Sequence, residues 1–216
     1  MALLIFDCDG VLVDSERLSH QVLVDMLAER GVAIEFDEAV HRFIGLSIAG
    51  GIGQLRDLLG GHVPEGFLPE MGRRTKAAFQ AGLTTVPGIE AVLDALIHPF
   101  CVASNGNHSK VNFTLGHTGL APRFAGRIFT ADDVPRPKPA PDLFLHAATT
   151  LGVAPEHTTV VEDTPTGITA AKAAGMRAIG YAAMTPAARL QAAGADLVLH
   201  HMADLHALLQ AEGAAR

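Results

Sequence analysis

Four short apolar runs, each stopped by a polar or acidic residue and followed by loop signals and a helical pattern, restrict what this chain can fold into. They are Leu3-Leu4-Ile5-Phe6 before Asp7, Phe100-Cys101-Val102-Ala103 before Ser104, Arg127-Ile128-Phe129 before Thr130, and Thr159-Val160-Val161 before Glu162. Runs without a solvent face suit strands covered on both sides, as in a parallel sheet. Arg177 to Tyr181 and Asp196 to Leu199 are two further candidates. Thr164 then Pro165 opens a helix that Gly175 closes, and Asn107 opens one that Gly119 closes. The alternation predicts an α/β chain with a doubly wound, Rossmann-like parallel sheet. Ligands of such sheets bind beyond the carboxyl ends of the strands, which is where Asp7, Ser104 and Glu162 fall.

Between Asp14 and Val86 the pattern is helical, with no convincing strand. Leu18, Val22, Leu23, Met26 and Leu27 share one apolar face that Gly31 ends, and further patterns cover Phe36 to Phe43, Ser47 to Leu59 and Pro69 to Ala81. With Val86-Pro87-Gly88 as the return, the expectation is an all-helical cap domain, residues 15–86, inserted into a catalytic core of residues 1–14 and 87–216. The two crossings are natural hinges. A length of 216 residues, 49% of them hydrophobic, suits one large domain or two small ones.

A formal charge of -7 argues against a nucleic-acid partner, which needs a basic face to neutralise phosphates. No run approaches the about 18 apolar residues of a spanning helix, and the amino-terminal run reaches Asp7 too soon for a signal peptide. Cys8 and Cys101 fit no metal-ligand spacing and sit in core-type runs, so two reduced thiols and a cytoplasmic protein are expected, and with no long exposed apolar surface identifiable a monomer is the default expectation. His200, His201 and His206 read as surface residues.

In Asp7-Cys8-Asp9-Gly10, two carboxylates stand two positions apart at a strand end and face one small volume. Like charges so close require a cation or a proton between them. Glu162 and Asp163 end another strand, and the parallel-sheet reading places them beside the first pair. Four acids without matching histidines or cysteines favour a hard cation, Mg²⁺ in particular. A carboxylate attacks phosphorus once the phosphoryl oxygens are neutralised, which assigns the attack to Asp7 and leaves Asp9 to give and take the proton. Gly10 permits the sharp loop that follows. Ser104-Asn105-Gly106 supplies a hydroxyl and backbone N–H groups for phosphoryl oxygens, and Lys138, between Pro137 and Pro139, supplies a fixed positive charge.

These residues, in this order, resemble the haloacid dehalogenase superfamily, and within it the phosphatases and β-phosphoglucomutase-like enzymes with a helical cap after the first strand. The likeness rests on Asp7-Cys8-Asp9-Gly10, Ser104-Asn105, Lys138, and Glu162-Asp163 with Thr164-Pro165-Thr166-Gly167. Val13-Asp14-Ser15-Glu16 and Val86-Pro87-Gly88-Ile89 match the family's crossings into and out of the cap. The resemblance implies Asp7 as nucleophile, Asp9 as acid and base, and Ser104 and Lys138 as phosphate contacts. It also implies Mg²⁺ held by Asp7, the backbone carbonyl of Asp9, and Asp163 with or without Glu162. The superfamily's dehalogenases and phosphonatases lack the second aspartate of the first motif, so Asp9 points to phosphoryl transfer from a small phosphate ester.

Plainer roles exist for each residue. An isolated Asp-x-Asp-Gly is a turn sequence, acids at a helix start favour its dipole, and Ser104 and Lys138 could be a cap and a solvated charge. Cys8 should point away from the acids as an inert core thiol. Arg73 and Lys76 share a helical face and are candidates to meet an anionic substrate. In phosphomutases of the family an arginine follows a Gly-x-Ser segment of the cap. Here Gly45-Leu46-Ser47 is followed by Ile48, which favours a phosphatase, with the mutase as alternative should Arg73, Arg74 or Lys76 substitute. A phosphate-binding regulatory module without turnover is the alternative of another class. A sugar phosphate or phosphorylated sugar acid is the expected substrate by family, and the 5% aromatic content offers little for stacking nucleotides.

Overall fold

In the computed structural model, which describes residues 1–46 and 48–214, the first apolar run is β1 (Leu3–Phe6), buried at every position. Four helices follow, α1 (Ser15–Ala28), α2 (Phe36–Phe43), α3 (Ile48–Leu58) and α4 (Phe67–Gly82). The strand-and-helix alternation then resumes. Its first half is α5 (Ile89–Ala95), β2 (Phe100–Ser104), α6 (His108–His117), β3 (Ile128–Thr130) and α7 (Asp142–Thr150). Its second half is β4 (Thr158–Glu162), α8 (Pro165–Ala173), β5 (Arg177–Tyr181), α9 (Ala187–Ala192), β6 (Leu197–Leu199) and α10 (Met202–Ala214).

The six strands form one parallel sheet in the order β3-β2-β1-β4-β5-β6. The winding direction reverses between β1 and β4, the switch point at which doubly wound sheets open a crevice beyond the strand ends. Register brings the functional segments level. Phe6 stands opposite Val102 on one side and Val161 on the other, and the Asp7 N–H donates to the Val161 carbonyl at 3.0 Å. Asp7, Ser104 and Glu162 therefore emerge together at the carboxyl edge.

Alternate residues of each strand serve opposite faces. On one face Leu3, Ile5, Cys101, Ala103, Val160 and Ala178 join a buried cluster with Leu143 and Phe144 of α7, Ile168 and Ala171 of α8, and Leu190 of α9. On the other face Phe6 meets Phe100 edge to face, and Phe100 meets Phe124 in the same way. With apolar partners on both faces there is no polar stripe in β1, which explains its unbroken hydrophobic sequence.

The chain divides into two compact units, Met1–Val13 with Thr85 onward, and Asp14–Thr84. The crossings run side by side as a short antiparallel pair. Val13 bridges Thr85, Asp14 N–H donates to the Thr84 carbonyl at 2.9 Å, and Val86 N–H donates to the Leu12 carbonyl at 3.0 Å. The helical unit has its own core of Leu23, Met26, Leu27, Ile34, Ala39, Leu55 and Phe67, with the Arg30 guanidinium over the Phe67 ring. The sequence pattern placed the start of α4 at Pro69. The helix begins earlier, at Phe67, because Gly66 turns the chain with φ 80 and Phe67 is drawn into that core. Ser47 of the Gly45-Leu46-Ser47 segment lies outside the described residues. Among the described residues no helix is long and apolar enough to cross a membrane.

Ile5, fully buried at the centre of the sheet, sets a test of this packing. Ile5→Ala should lower the unfolding free energy by about 2–5 kcal/mol in urea denaturation. The same change at Ile97, 88% exposed, should stay within about 0.5 kcal/mol.

Candidate active site

The strand ends set the first residues of the site, and the loops after them aim the side chains. At the end of β1, Gly10 has a φ of 74, and a Cβ there would run into the Asp163 carboxylate. That glycine provides the left-handed turn and the room for an acid from another loop. Gly167 plays the same part on α8, where a Cβ would overlap the Glu162 carboxylate. Thr164 accepts from Gly167 N–H at 3.1 Å as the cap of α8 while its hydroxyl donates to Glu162 Oε2 at 2.9 Å. Thr164 N–H donates to the same oxygen at 3.1 Å, so one residue both starts a helix and fixes an acid.

Lys138 is the centre of the arrangement. Its ammonium is buried, donating to Asp7 Oδ1 and to Glu162 Oε1, each at 2.6 Å, and it lies 4.8 Å from the centroid of the Phe144 ring. Asn105 fixes the backbone that carries it. The Asn105 amide donates to the Lys138 carbonyl at 3.0 Å and accepts from the Lys138 N–H at 2.9 Å. Expected as a phosphate contact, Asn105 thus has its side chain engaged as a two-point clamp on the lysine loop. Ser104 is buried at the end of β2, where its hydroxyl accepts from Gly106 N–H at 3.1 Å.

The structure brings Asp7, Glu162 and Asp163 together, with one oxygen from each within 4.8 Å of the others. All three are buried. When ionised they carry three negative charges against the single positive charge of Lys138, so a divalent cation would balance the set. The donors are oxygen alone, which suits a hard ion. The Asp9 carboxylate stands outside that trio and accepts from Lys110 Nζ at 2.7 Å. Both oxygens of Glu162 are hydrogen-bonded, one to Lys138 and one to Thr164, and the Asp163 carboxylate is packed against Gly10.

Burial pushes the Asp7 carboxyl up to about 7, with Lys138 drawing it down and the charges of Glu162 and Asp9 adding to the rise. Burial alone would lower the Lys138 ammonium, but Asp7 and Glu162 outweigh it and hold that group protonated beyond its usual range. Cys8 points away from the acids toward Thr114, its Sγ 3.6 Å from the hydroxyl, and burial raises its thiol well above the ordinary value. Burial raises Cys101 to about 12. Neither thiol is a nucleophile near neutral pH.

Sequence reasoning missed Lys110. The available signal was its place three residues after the cap Asn107, in the first turn of α6, where the helix dipole disfavours a cation. It also missed Phe144 beneath the ammonium, which nothing in the local pattern distinguishes from a core residue. In the helical unit, Arg73 pairs with Glu70, and Arg74 pairs with both Glu70 and Glu29.

The family model for haloacid dehalogenase-like hydrolases matches residues 1–175. The chain belongs to that family and is a phosphoric monoester hydrolase. It is 32% identical over 180 residues to 6-phosphogluconate phosphatase of Escherichia coli (strain K12), covering 82% of this chain and 81% of that protein. A haloacid dehalogenase-like protein of Agrobacterium tumefaciens str. C58 superposes with a TM-score of 0.91 at 36% identity, covering 99% of each chain. A family hydrolase of Deinococcus radiodurans R1, solved with bound phosphate and sodium, superposes with a TM-score of 0.87 at 34% identity, covering 99% of this chain and 96% of that one.

A raised folded-state value at Asp7 means that its neutral form favours the fold. That contribution is complete below the unfolded value of 3.8 and is lost as pH rises through about 7. In chelator, Asp7→Asn should therefore melt above the parent by a margin that opens between those two pH values and then stays level. Thermal denaturation across the pH series reads it, and a constant margin would contradict the raised value.

Proposed function

We propose that this chain hydrolyses a small phosphorylated metabolite, a sugar phosphate or phosphorylated sugar acid, by way of a phosphoryl group carried on Asp7. The observation that carries the proposal is the buried Lys138 ammonium shared by Asp7 and Glu162 with Asp163 alongside. It joins a carboxylate nucleophile to the positive charge that phosphoryl oxygens require.

A bond forms from an Asp7 carboxylate oxygen to phosphorus as the ester oxygen departs and takes a proton from Asp9. Water then attacks the acyl phosphate, giving its proton to Asp9 and restoring Asp7 with release of inorganic phosphate. The Ser104 hydroxyl and the N–H groups of the loop after β2 hold phosphoryl oxygens, and Lys138 offsets their charge. Mg²⁺ would be held by Asp7, Asp163 and the backbone carbonyl of Asp9, with Glu162 serving chiefly to anchor Lys138. When bound it supplies charge neutralisation of the phosphoryl oxygens.

Hydrolysis is preferred to mutase action for two reasons. Isoleucine follows Gly45-Leu46-Ser47 where the mutases have arginine. Arg73 and Arg74, candidates to replace it, are engaged with acids of their own unit. The name of the Escherichia coli relative supports a phosphorylated sugar acid as one substrate to try. The buried free thiols support a cytoplasmic setting, and the net charge of -7 argues against a nucleic-acid partner.

Purified protein should release phosphate from p-nitrophenyl phosphate only with Mg²⁺ present, and chelation should stop the release reversibly. Asp7→Asn should lose turnover while keeping its circular dichroism spectrum. Sustained hydrolysis by that variant would refute transfer to Asp7, and silence from the folded, Mg²⁺-loaded parent across a panel of phosphorylated sugars and sugar acids would favour a non-catalytic binding module.

A further inference from the structure

The Lys110–Asp9 pair spans 101 positions of sequence, and family motifs and helix periodicity alike leave it unexplained. Resting on the role given above to Asp9, we infer that Lys110 is the positioning residue that aims the Asp9 carboxylate at the leaving oxygen and keeps it out of the cation-binding trio.

Three observations carry this. The ammonium lies 2.7 Å from Asp9 Oδ2, and the Asp9 carboxylate is not among the three, of Asp7, Glu162 and Asp163, whose oxygens gather within 4.8 Å. The lysine is rooted, because its own N–H donates to the Asn107 cap at 2.9 Å in the first turn of α6. That helix is itself fixed against the nucleophile loop by the contact of Thr114 with Cys8, the residue between the two aspartates. Finally, a cation in the first turn of a helix opposes the dipole. Ion pairing with an acid from another loop offsets that penalty, so local helix stability is not what this residue serves.

The physical need is specific. Asp9 sits two residues from Asp7 in a neighbourhood rich in carboxylates, and a bound cation would draw its side chain inward. Hydrogen bonding of Oδ2 to Lys110 holds the group outward and fixes where its other oxygen carries the proton. As that proton passes to the ester oxygen, the charge left on Asp9 finds an ammonium already in place, with no reorganisation needed. The side chains are 16% exposed for Asp9 and 43% for Lys110, so the pair lies at the rim of the site, where a leaving alcohol would depart.

The test compares kcat/KM, which ends at phosphoryl transfer, for two esters with Mg²⁺ saturating. Nitrophenolate leaves from p-nitrophenyl phosphate without a proton, whereas the alkoxide of glycerol 2-phosphate cannot. Lys110→Met should lose at least about tenfold more on the alkyl ester than on the aryl ester, the scale of general acid catalysis. Lys110→Arg, which restores a charged donor, should recover part of that difference. Equal losses on both esters, or losses that follow a weakened Mg²⁺ affinity in calorimetry, would overturn the inference. So would a crystal structure of Lys110→Met with the Asp9 carboxylate in its original place. Asp9→Asn separates the two layers. A selective loss there with none in Lys110→Met defeats only the role of Lys110, whereas equal losses in Asp9→Asn defeat the proton-donor role of Asp9 and the inference built on it.

Discussion

A lysine ammonium removed from water between two carboxylates is the constraint around which the core unit is organised. An isolated buried charge costs several kcal/mol or more, so the Lys138 ammonium needs oxygen acceptors against it, and it has them in Asp7 Oδ1 and Glu162 Oε1. That requirement reaches well beyond the three residues. It needs β1 and β4 adjacent and in register, the Asn105 clamp on the lysine loop, Thr164 on the far oxygen of Glu162, and a glycine at 167 to leave the carboxylate room. Each is a small local feature. Together they convert a costly burial into a rigid, charged floor for the site.

The sheet order explains why such distant segments meet. Strands wound outward from β1 in both directions leave a crevice between β1 and β4, and side chains just past the strand ends line it. Lys138, 131 positions from Asp7, comes from the connection after β3 and reaches the same floor. The two lysines of the site divide the work by burial. Lys138, shut away from solvent, acts on Asp7 with little screening, while half-exposed Lys110 is paired with Asp9 nearer the surface.

The excess negative charge of the buried acids carries through to binding. One ammonium cannot balance Asp7, Glu162 and Asp163 when all are ionised, and burial makes that imbalance expensive enough to push the Asp7 carboxyl up to about 7. A site with this surplus is poised to take a cation together with an anionic phosphoryl group. A fourth carboxylate drawn into the cluster would add to that surplus, and the Asp9 carboxylate is instead paired with Lys110.

Much of the molecule was legible in the amino-acid order. Strands buried on both faces have no polar positions, so their runs stood out, and the acids and Ser104 that terminate them marked the carboxyl edge. Helix boundaries were less legible, as at α4, where burial of Phe67 extended the helix beyond what propensity indicated. The sequence by itself determined the α/β pattern, the helical insertion and the chemical identity of the acids and the lysine, because these follow from periodicity and residue type. Only the tertiary structure decided which partner each group holds. It committed the Asn105 side chain to the lysine loop, both oxygens of Glu162 to Lys138 and Thr164, and the Asp9 carboxylate to Lys110. A hydrogen bond between residues a hundred positions apart depends on where the fold puts two atoms, and no local pattern encodes that distance.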